Sequence, residues 1–131
     1  MALRQGDKVI YPELSYRITG LLFEVHNVYG RWRSEKTYAD AFEELLRRDG
    51  IPHEREVRLP GVADGQPSRD IVDFLIADKV VVELKAKPQT NREDYAQVKR
   101  YLAARSIRLG ILVNFRREHL VPKRILHKLD S

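Results

Sequence analysis

Asp73 and the triplet Glu83-Leu84-Lys85 are the residues of this 131-residue chain whose types and spacing best suit chemistry. The run that carries the triplet, residues 79–86 (KVVVELKA), is almost continuously apolar and reads as a central strand covered on both faces. Side chains alternate along a strand, so Glu83 and Lys85 share one face, together with Val81. A covered face holds two charged side chains only where they pair or bind something. A structural ion pair is one such use. Asp73 bears on the other through the register of the preceding hairpin. If the turn is the two residues Ala77-Asp78, Asp73 lies opposite Val82 and points away from Glu83. If the turn centres on Asp78 with three or five residues, Asp73 lies opposite Glu83. The second register puts two carboxylates and an ammonium at one spot. Adjacent carboxylates repel, and each pKa rises unless a cation sits between them. A hard divalent ion with oxygen ligands, Mg²⁺ or Mn²⁺, resolves that conflict.

Three further positions belong to the same argument. Glu35 falls in the first turn of a predicted helix, where the helix dipole favours an acid without any function. It is also three residues before Tyr38, hence on the side of that helix's apolar stripe, which favours a ligand or water-holding role. Gln97 and Tyr101 lie one turn apart on a later helix, a common pairing that matters because this helix is expected to pack beside the strand of Glu83 and Lys85.

The elements that must position these residues follow from hydrophobic period. Leu14, Ile18, Leu21, Leu22, Val25 and Val28 recur at helical spacing between Pro12 and Tyr29, with Pro12 suited to a first turn and Gly30 to a stop. Ser34 is a candidate N-cap for a second helix to Arg48, with the stripe Tyr38, Ala41, Phe42 and Leu45 and a stop at Asp49-Gly50. Residues 53–59 (HEREVRL) alternate like a half-exposed edge strand, and residues 70–76 (DIVDFLI) read as a second central strand. Residues 60–69, rich in Gly and Pro, read as the loop of that hairpin. A third helix covers residues 92–104, with Tyr95, Val98 and Leu102 towards the core, and residues 109–115 (LGILVNF) form a last buried strand. The stretch from Arg116 reads as basic and partly helical, with Pro122 near a helix start. The expected architecture is α/β: an αβββαβ core with a mixed four-stranded sheet flanked by helices, plus an extra N-terminal helix, in a single domain over residues 1–131.

Composition narrows the function. A net charge of +5 favours a polyanionic partner, usually nucleic acid. The hydrophobic fraction of 43% supports a core rather than wholesale disorder. The absence of cysteine excludes disulfides, thiolate catalysis, iron–sulfur clusters and Cys-based zinc sites, and fits a reducing compartment. No apolar run approaches the ~20 residues of a membrane span. The first residues, MALRQGDKVIYPEL, lack the apolar stretch of a secretory signal, so a cytoplasmic location is expected.

In this ordered set the sequence resembles the PD-(D/E)xK nuclease superfamily, and within it the small bacterial family named for a GxxExxY motif. Asp73 matches the Asp of the signature, Glu83-Leu84-Lys85 its E-x-K, Glu35-Lys36-Thr37-Tyr38 E-x-x-Y, and residues 97–101 (QVKRY) the Q-x-x-x-Y of RecB-like members. The likeness spans roughly residues 14–115, including residues 23–30 (FEVHNVYG) and the strand ending at Asn114-Phe115. E-x-K alone is a weak signal; the set in order is far more specific. Two positions depart from the pattern: Trp32 stands where glycine is expected three residues before Glu35, with Gly30 two positions earlier, and Val72 rather than proline precedes Asp73.

The resemblance implies a restriction-endonuclease-like fold and metal-dependent hydrolysis of phosphodiesters, with DNA the expected substrate in a repair, defence or mobile-element setting. It implies that Asp73 and Glu83 hold Mg²⁺ (or Mn²⁺) with the backbone carbonyl of Leu84, and that Glu35 binds it directly or through water. Lys85 would orient the attacking water, act as base if its pKa is depressed, or stabilise charge on the phosphate. Gln97 would position Lys85 or a phosphate, and Tyr101 would support it. Arg31, Arg33, Lys87, Arg92, Lys99 and Arg100 are candidate phosphate contacts, although a solvated charged face is the ordinary use of each. A homodimer would let so small an enzyme reach both strands of a duplex. The competing expectations are a catalytically silent nuclease-fold module that binds nucleic acid or a protein partner, and a scaffold whose charges only pair.

Overall fold

A proline in a first helical turn and apolar residues at three- and four-residue spacing generate α1 (Pro12–Tyr29), which buries Ile18, Leu21, Leu22 and Val25. The computed structural model of the protein describes residues 10–59 and 70–129. The expected stripe of α1 stops one turn early, because Val28 is exposed. In α2 (Glu35–Arg48), the Ser34 side chain accepts from the Thr37 N–H and caps the helix as expected. The face of α2 that reaches the core is Tyr38, Ala39, Phe42 and Leu46. Ala41 and Leu45, assigned to that face from spacing, are only partly buried at its margin.

The strands are β1 (His53–Arg58), β2 (Ile71–Ile76), β3 (Val80–Lys85), β4 (Leu109–Asn114) and β5 (Lys123–Leu126), with α3 (Arg92–Arg105) crossing between β3 and β4. They form one mixed sheet in the order β1-β2-β3-β4-β5. Only the β3–β4 pair is parallel, as the helical crossover demands. The charged alternating β1 lies at an edge, and the apolar β2, β3 and β4 lie inside. The α/β architecture is as expected, but the sheet has five strands rather than four. The C-terminal stretch pairs antiparallel with β4 as β5 instead of forming a helix. Backbone groups on the free side of the buried β4 need partners, and the short segment after Pro122 supplies them. The expected loop at residues 60–69 lies outside the described residues.

Two apolar layers cover the sheet. On one face α1 and α2 pack against Phe74, Ile76, Val82, Leu84, Ile111 and Val113. On the other, α3 packs Val98, Tyr101 and Leu102 against Leu75, Val81, Leu112 and Ile125. Gly110 permits that second contact: a Cβ there would come within 2.6 Å of Val98 Cγ1. Glu83 and Lys85 share the strand face of Val81, so the candidate site opens on the α3 side of the sheet.

Candidate active site

The turn between β2 and β3 comprises Ala77, Asp78 and Lys79, with Ala77 and Asp78 in the left-handed region (φ 53° and 58°) and the Lys79 N–H donating to the Ile76 carbonyl at 2.9 Å. Phe74 therefore pairs with Val82 and Leu75 with Val81. The register carried one step further sets Asp73 opposite Glu83, which is the carboxylate-gathering alternative of the two. At this level side chains replace the backbone ladder. The Asp73 N–H donates to Glu83 Oε1 at 2.9 Å, and the Leu84 N–H donates to Asp73 Oδ2 at 2.7 Å. The ladder on the other side of Asp73 is interrupted too. Glu56, the β1 residue level with it, has left-handed backbone (φ 57°) and is skipped between the Arg55–Phe74 and Val57–Val72 pairs.

Around this pair the charges form a compact cluster. Glu83 is buried, and Lys85 Nζ lies 3.5 Å from its Oε2 and 3.8 Å from Asp94 Oδ1. Lys87 Nζ is 2.6 Å from Asp94 Oδ2. Asp94 is itself buried and fixed by a reciprocal cap at the start of α3: its N–H donates to Asn91 Oδ1, and the Asn91 N–H donates to Asp94 Oδ2. Nothing in the analysis of the sequence singled out Asp94, although the Asn91-x-x-Asp94 spacing is the signal of such a cap. Glu35, at the first position of α2, sits at the rim of the cluster. Tyr38 holds the loop that delivers it. The Tyr38 hydroxyl donates to the Gly30 carbonyl at 2.6 Å and accepts from the Arg33 N–H at 3.0 Å, and its ring stacks on Phe115 at 4.2 Å.

The ionisation equilibria record burial first and neighbouring charge second. Desolvation first, then the hydrogen bond and charge of Asp73, push Glu83 well above the carboxylate range, and Lys85 only partly offsets them. Glu35 is exposed at its edge, yet partial desolvation raises its carboxyl. Lys85 opposes that shift and Asp73 adds to it, which ties Glu35 electrostatically to the pair. Burial alone would lower Lys85, but Glu83, Asp94, Glu35 and Asp73 outweigh it and hold the ammonium above its ordinary value. These neighbours favour the charged form of Lys85. Burial would raise Asp94, but Lys87 and the Asn91 N–H outweigh burial and lower it.

The remaining candidates are placed less centrally. Gln97 Nε2 donates to the Ile71 carbonyl at 2.9 Å, so it steadies the strand two residues before Asp73 rather than contacting Lys85. Tyr101 is fully buried in the layer under α3, and its hydroxyl accepts from Arg105 at 3.3 Å. The buried face of α3 is broader than the expected stripe of Tyr95, Val98 and Leu102, since Tyr101 belongs to it. Arg100 bridges Asp70 and Glu93, and Lys87 is engaged by Asp94, so both enter ion pairs within the fold. Arg33, Arg92 and Lys99 are exposed. The Arg31 Nε donates to the Arg116 carbonyl at 2.8 Å.

The donor set suits a hard cation in chemistry: two adjoining carboxyl groups, one of them desolvated, with a third at the rim. Among the described residues no three His, Asp or Glu side chains converge into a closed set of metal ligands. An ion bound here would need carbonyl or water oxygens as well. No helix among the described residues is long and apolar enough to cross a membrane.

Comparisons with known proteins bear on the fold and the family. No curated protein matches the chain. Among solved structures, the protein SSO0001 superposes with a TM-score of 0.52 at 20% identity, over 86% of this chain and 67% of that one. An alkaline exonuclease from Laribacter hongkongensis superposes with a TM-score of 0.50 at 12% identity, over 92% of this chain and 72% of that one. At such identities the likeness speaks for the fold, which is restriction-endonuclease-like. The family model of the PD-(D/E)XK nuclease superfamily matches residues 12–125, and the chain belongs to that superfamily.

Proposed function

We propose that the protein is a divalent-cation-dependent phosphodiesterase that cuts DNA, with Asp73, Glu83 and Lys85 as its chemical centre. The observation that carries this reading is the pairing of Asp73 with Glu83, with the Lys85 ammonium 3.5 Å from the latter. Two carboxyl groups forced together and partly desolvated are a costly arrangement without a cation, and their repulsion becomes attraction for one. Asp73 and Glu83 would hold Mg²⁺ or Mn²⁺ with the Leu84 carbonyl, and Glu35 directly or through water. When bound, such an ion polarises a phosphoryl oxygen and lowers the pKa of a water.

The chain's own residues supply the rest. Lys85, kept cationic by its carboxylate neighbours, stabilises the charge that grows on the phosphate. Asp94 holds Lys87 and flanks Lys85, so it acts as a positioning residue. Gln97 fixes the β2 backbone near Asp73, and Tyr38 fixes the entry to Glu35. Exposed Arg33, Arg92 and Lys99 are available for phosphate contacts.

The test is a nicking and degradation assay on supercoiled, linear and single-stranded DNA and on RNA, with Mg²⁺ or Mn²⁺. Cleavage of DNA by the wild type that is lost in chelator and in Lys85→Ala is expected. Salt-dependent DNA binding without cleavage, unchanged in Glu83→Ala, would make the chain a silent binding module instead.

A further inference from the structure

The single tryptophan of the chain is placed where a core residue would be wasted. Trp32 is 72% exposed, in the loop between α1 and α2, three residues before Glu35. Two guanidinium groups attend it: Arg31 Cζ lies 4.7 Å and Arg116 Cζ 5.2 Å from the ring centroid. The two arginines also clasp each other's backbone. Arg31 Nε donates to the Arg116 carbonyl at 2.8 Å, and Arg116 Nε donates to the Arg31 carbonyl at 3.0 Å. Arg116 reaches further, donating from Nη2 to the carbonyl of Ala86, the residue after Lys85. The clasp thus orients the indole at the edge of the candidate centre, and its exposure leaves ring surface free.

Trp32 borders a cleft of about 830 Å³. Its walls come from the loop of Arg31 and Trp32, the loop after β3 at Gln89 and Thr90, and the segment after β4 that includes Arg116 and Arg117. The lining carries three arginines and one histidine against one glutamate, so the cleft is basic. An exposed, oriented indole in a cationic cleft is the arrangement that holds nucleic-acid bases whose own faces are free. Within a duplex each base face is already stacked on its neighbours, so duplex offers this cleft phosphates but no ring. Glycine stands at this position in the motif that the sequence resembles, so the platform is a feature of this chain.

We propose that this cleft is a binding subsite for the unpaired nucleotides of a DNA strand, with a base stacked on Trp32 and phosphates on the surrounding arginines. The proposal rests on the nuclease reading for its substrate class, and it directs single-stranded or frayed DNA towards the centre at Lys85.

Because Trp32 is the only tryptophan, its fluorescence reports the contact directly. The full chain in chelator is titrated with a dT dodecamer, with a relaxed closed-circular duplex, which has neither ends nor loops, and with tripolyphosphate. Saturable quenching by the dodecamer, at least about ten-fold weaker per nucleotide for the circular duplex and absent with tripolyphosphate, is expected. No quenching, or equal quenching by the circular duplex or tripolyphosphate, overturns the proposal. Anisotropy of a labelled dodecamer then compares Trp32→Ala, expected to bind about ten-fold more weakly, with Trp32→Phe, expected to keep most of the affinity. Wild-type affinity in Trp32→Ala also overturns it. Cleavage assays separate the two readings. DNA cleavage whose preference for single strands is unchanged in Trp32→Ala removes the subsite and leaves the nuclease, whereas quenching by the dodecamer without cleavage leaves the subsite and removes the nuclease.

Discussion

The backbone N–H of Asp73 donates to the Glu83 carboxylate at 2.9 Å, so the first acid of the signature holds the second in place through its main chain. In return the Leu84 N–H holds the Asp73 carboxylate at 2.7 Å. Two main-chain donors thereby orient both carboxyl groups, and burial first, then Asp73, raises Glu83.

The raised Glu83 carboxyl has a pH signature. The Glu83 carboxyl is raised in the folded protein, so its favourable contribution is complete below its unfolded value and is lost as pH rises through the raised one. In metal-free buffer, stability should decline from mildly acidic to mildly alkaline pH. Glu83→Gln should flatten that decline and exceed the wild type at its alkaline end by roughly 1 kcal/mol, since it removes the charge and keeps the shape. Urea denaturation from pH 5 to 9 measures it; parallel wild-type and Glu83→Gln curves would show that Glu83 is not strained.

Lys85 is surrounded by carboxylates that keep it cationic. Lys85→Ala should lower the cleavage rate by about 10² to 10³-fold, the usual effect of removing one charge-stabilising donor, and Lys85→Arg should recover part of it. Single-turnover cleavage of single-stranded DNA, with circular dichroism to confirm folding, checks this. A neutral Lys85→Gln enzyme as fast as Lys85→Arg would remove charge stabilisation from the account.

Through its hydroxyl and its ring, Tyr38 joins the α1–α2 loop to Phe115, the residue after β4. Tyr38→Phe keeps the stacking on Phe115 but strips the Gly30 carbonyl and the Arg33 N–H of their partner. The expected loss is about 1–3 kcal/mol of stability, with a fall in cleavage because Glu35 lies on the loosened segment. Thermal unfolding and the rate assay read the two effects separately.

Close packing of α3 on β4 depends on Gly110. Gly110→Ala should cost about 1–3 kcal/mol by overpacking, and Val98→Ala introduced with it should restore part of the loss. A double-mutant cycle by chemical denaturation gives the coupling; strict additivity would mean that the helix shifts instead.

The helices, the inner strands and the crossover were legible because their apolar residues recur with the period of one element each. The register of the β2–β3 hairpin was not, since it rests on left-handed backbone at Ala77 and Asp78, and alanine carries no signal for that conformation. β5 was misread because its four residues, Lys123–Leu126, bury only Ile125; its strand character comes from the vacant edge of β4. Tyr101 matched a motif and also filled the core, and spacing alone does not separate those uses. Asp94 was visible as a cap, but its role beside Lys85 and Lys87 exists only once α3 is laid over β3.

Calorimetric titration of the metal-free protein with Mn²⁺ tests the central claim most directly. One saturable event is expected in the wild type, absent in Asp73→Asn and in Glu83→Gln, both of which should remain folded. Undiminished Mn²⁺ binding in both variants, or none in the wild type, would contradict the assignment of these two carboxylates as the cation site.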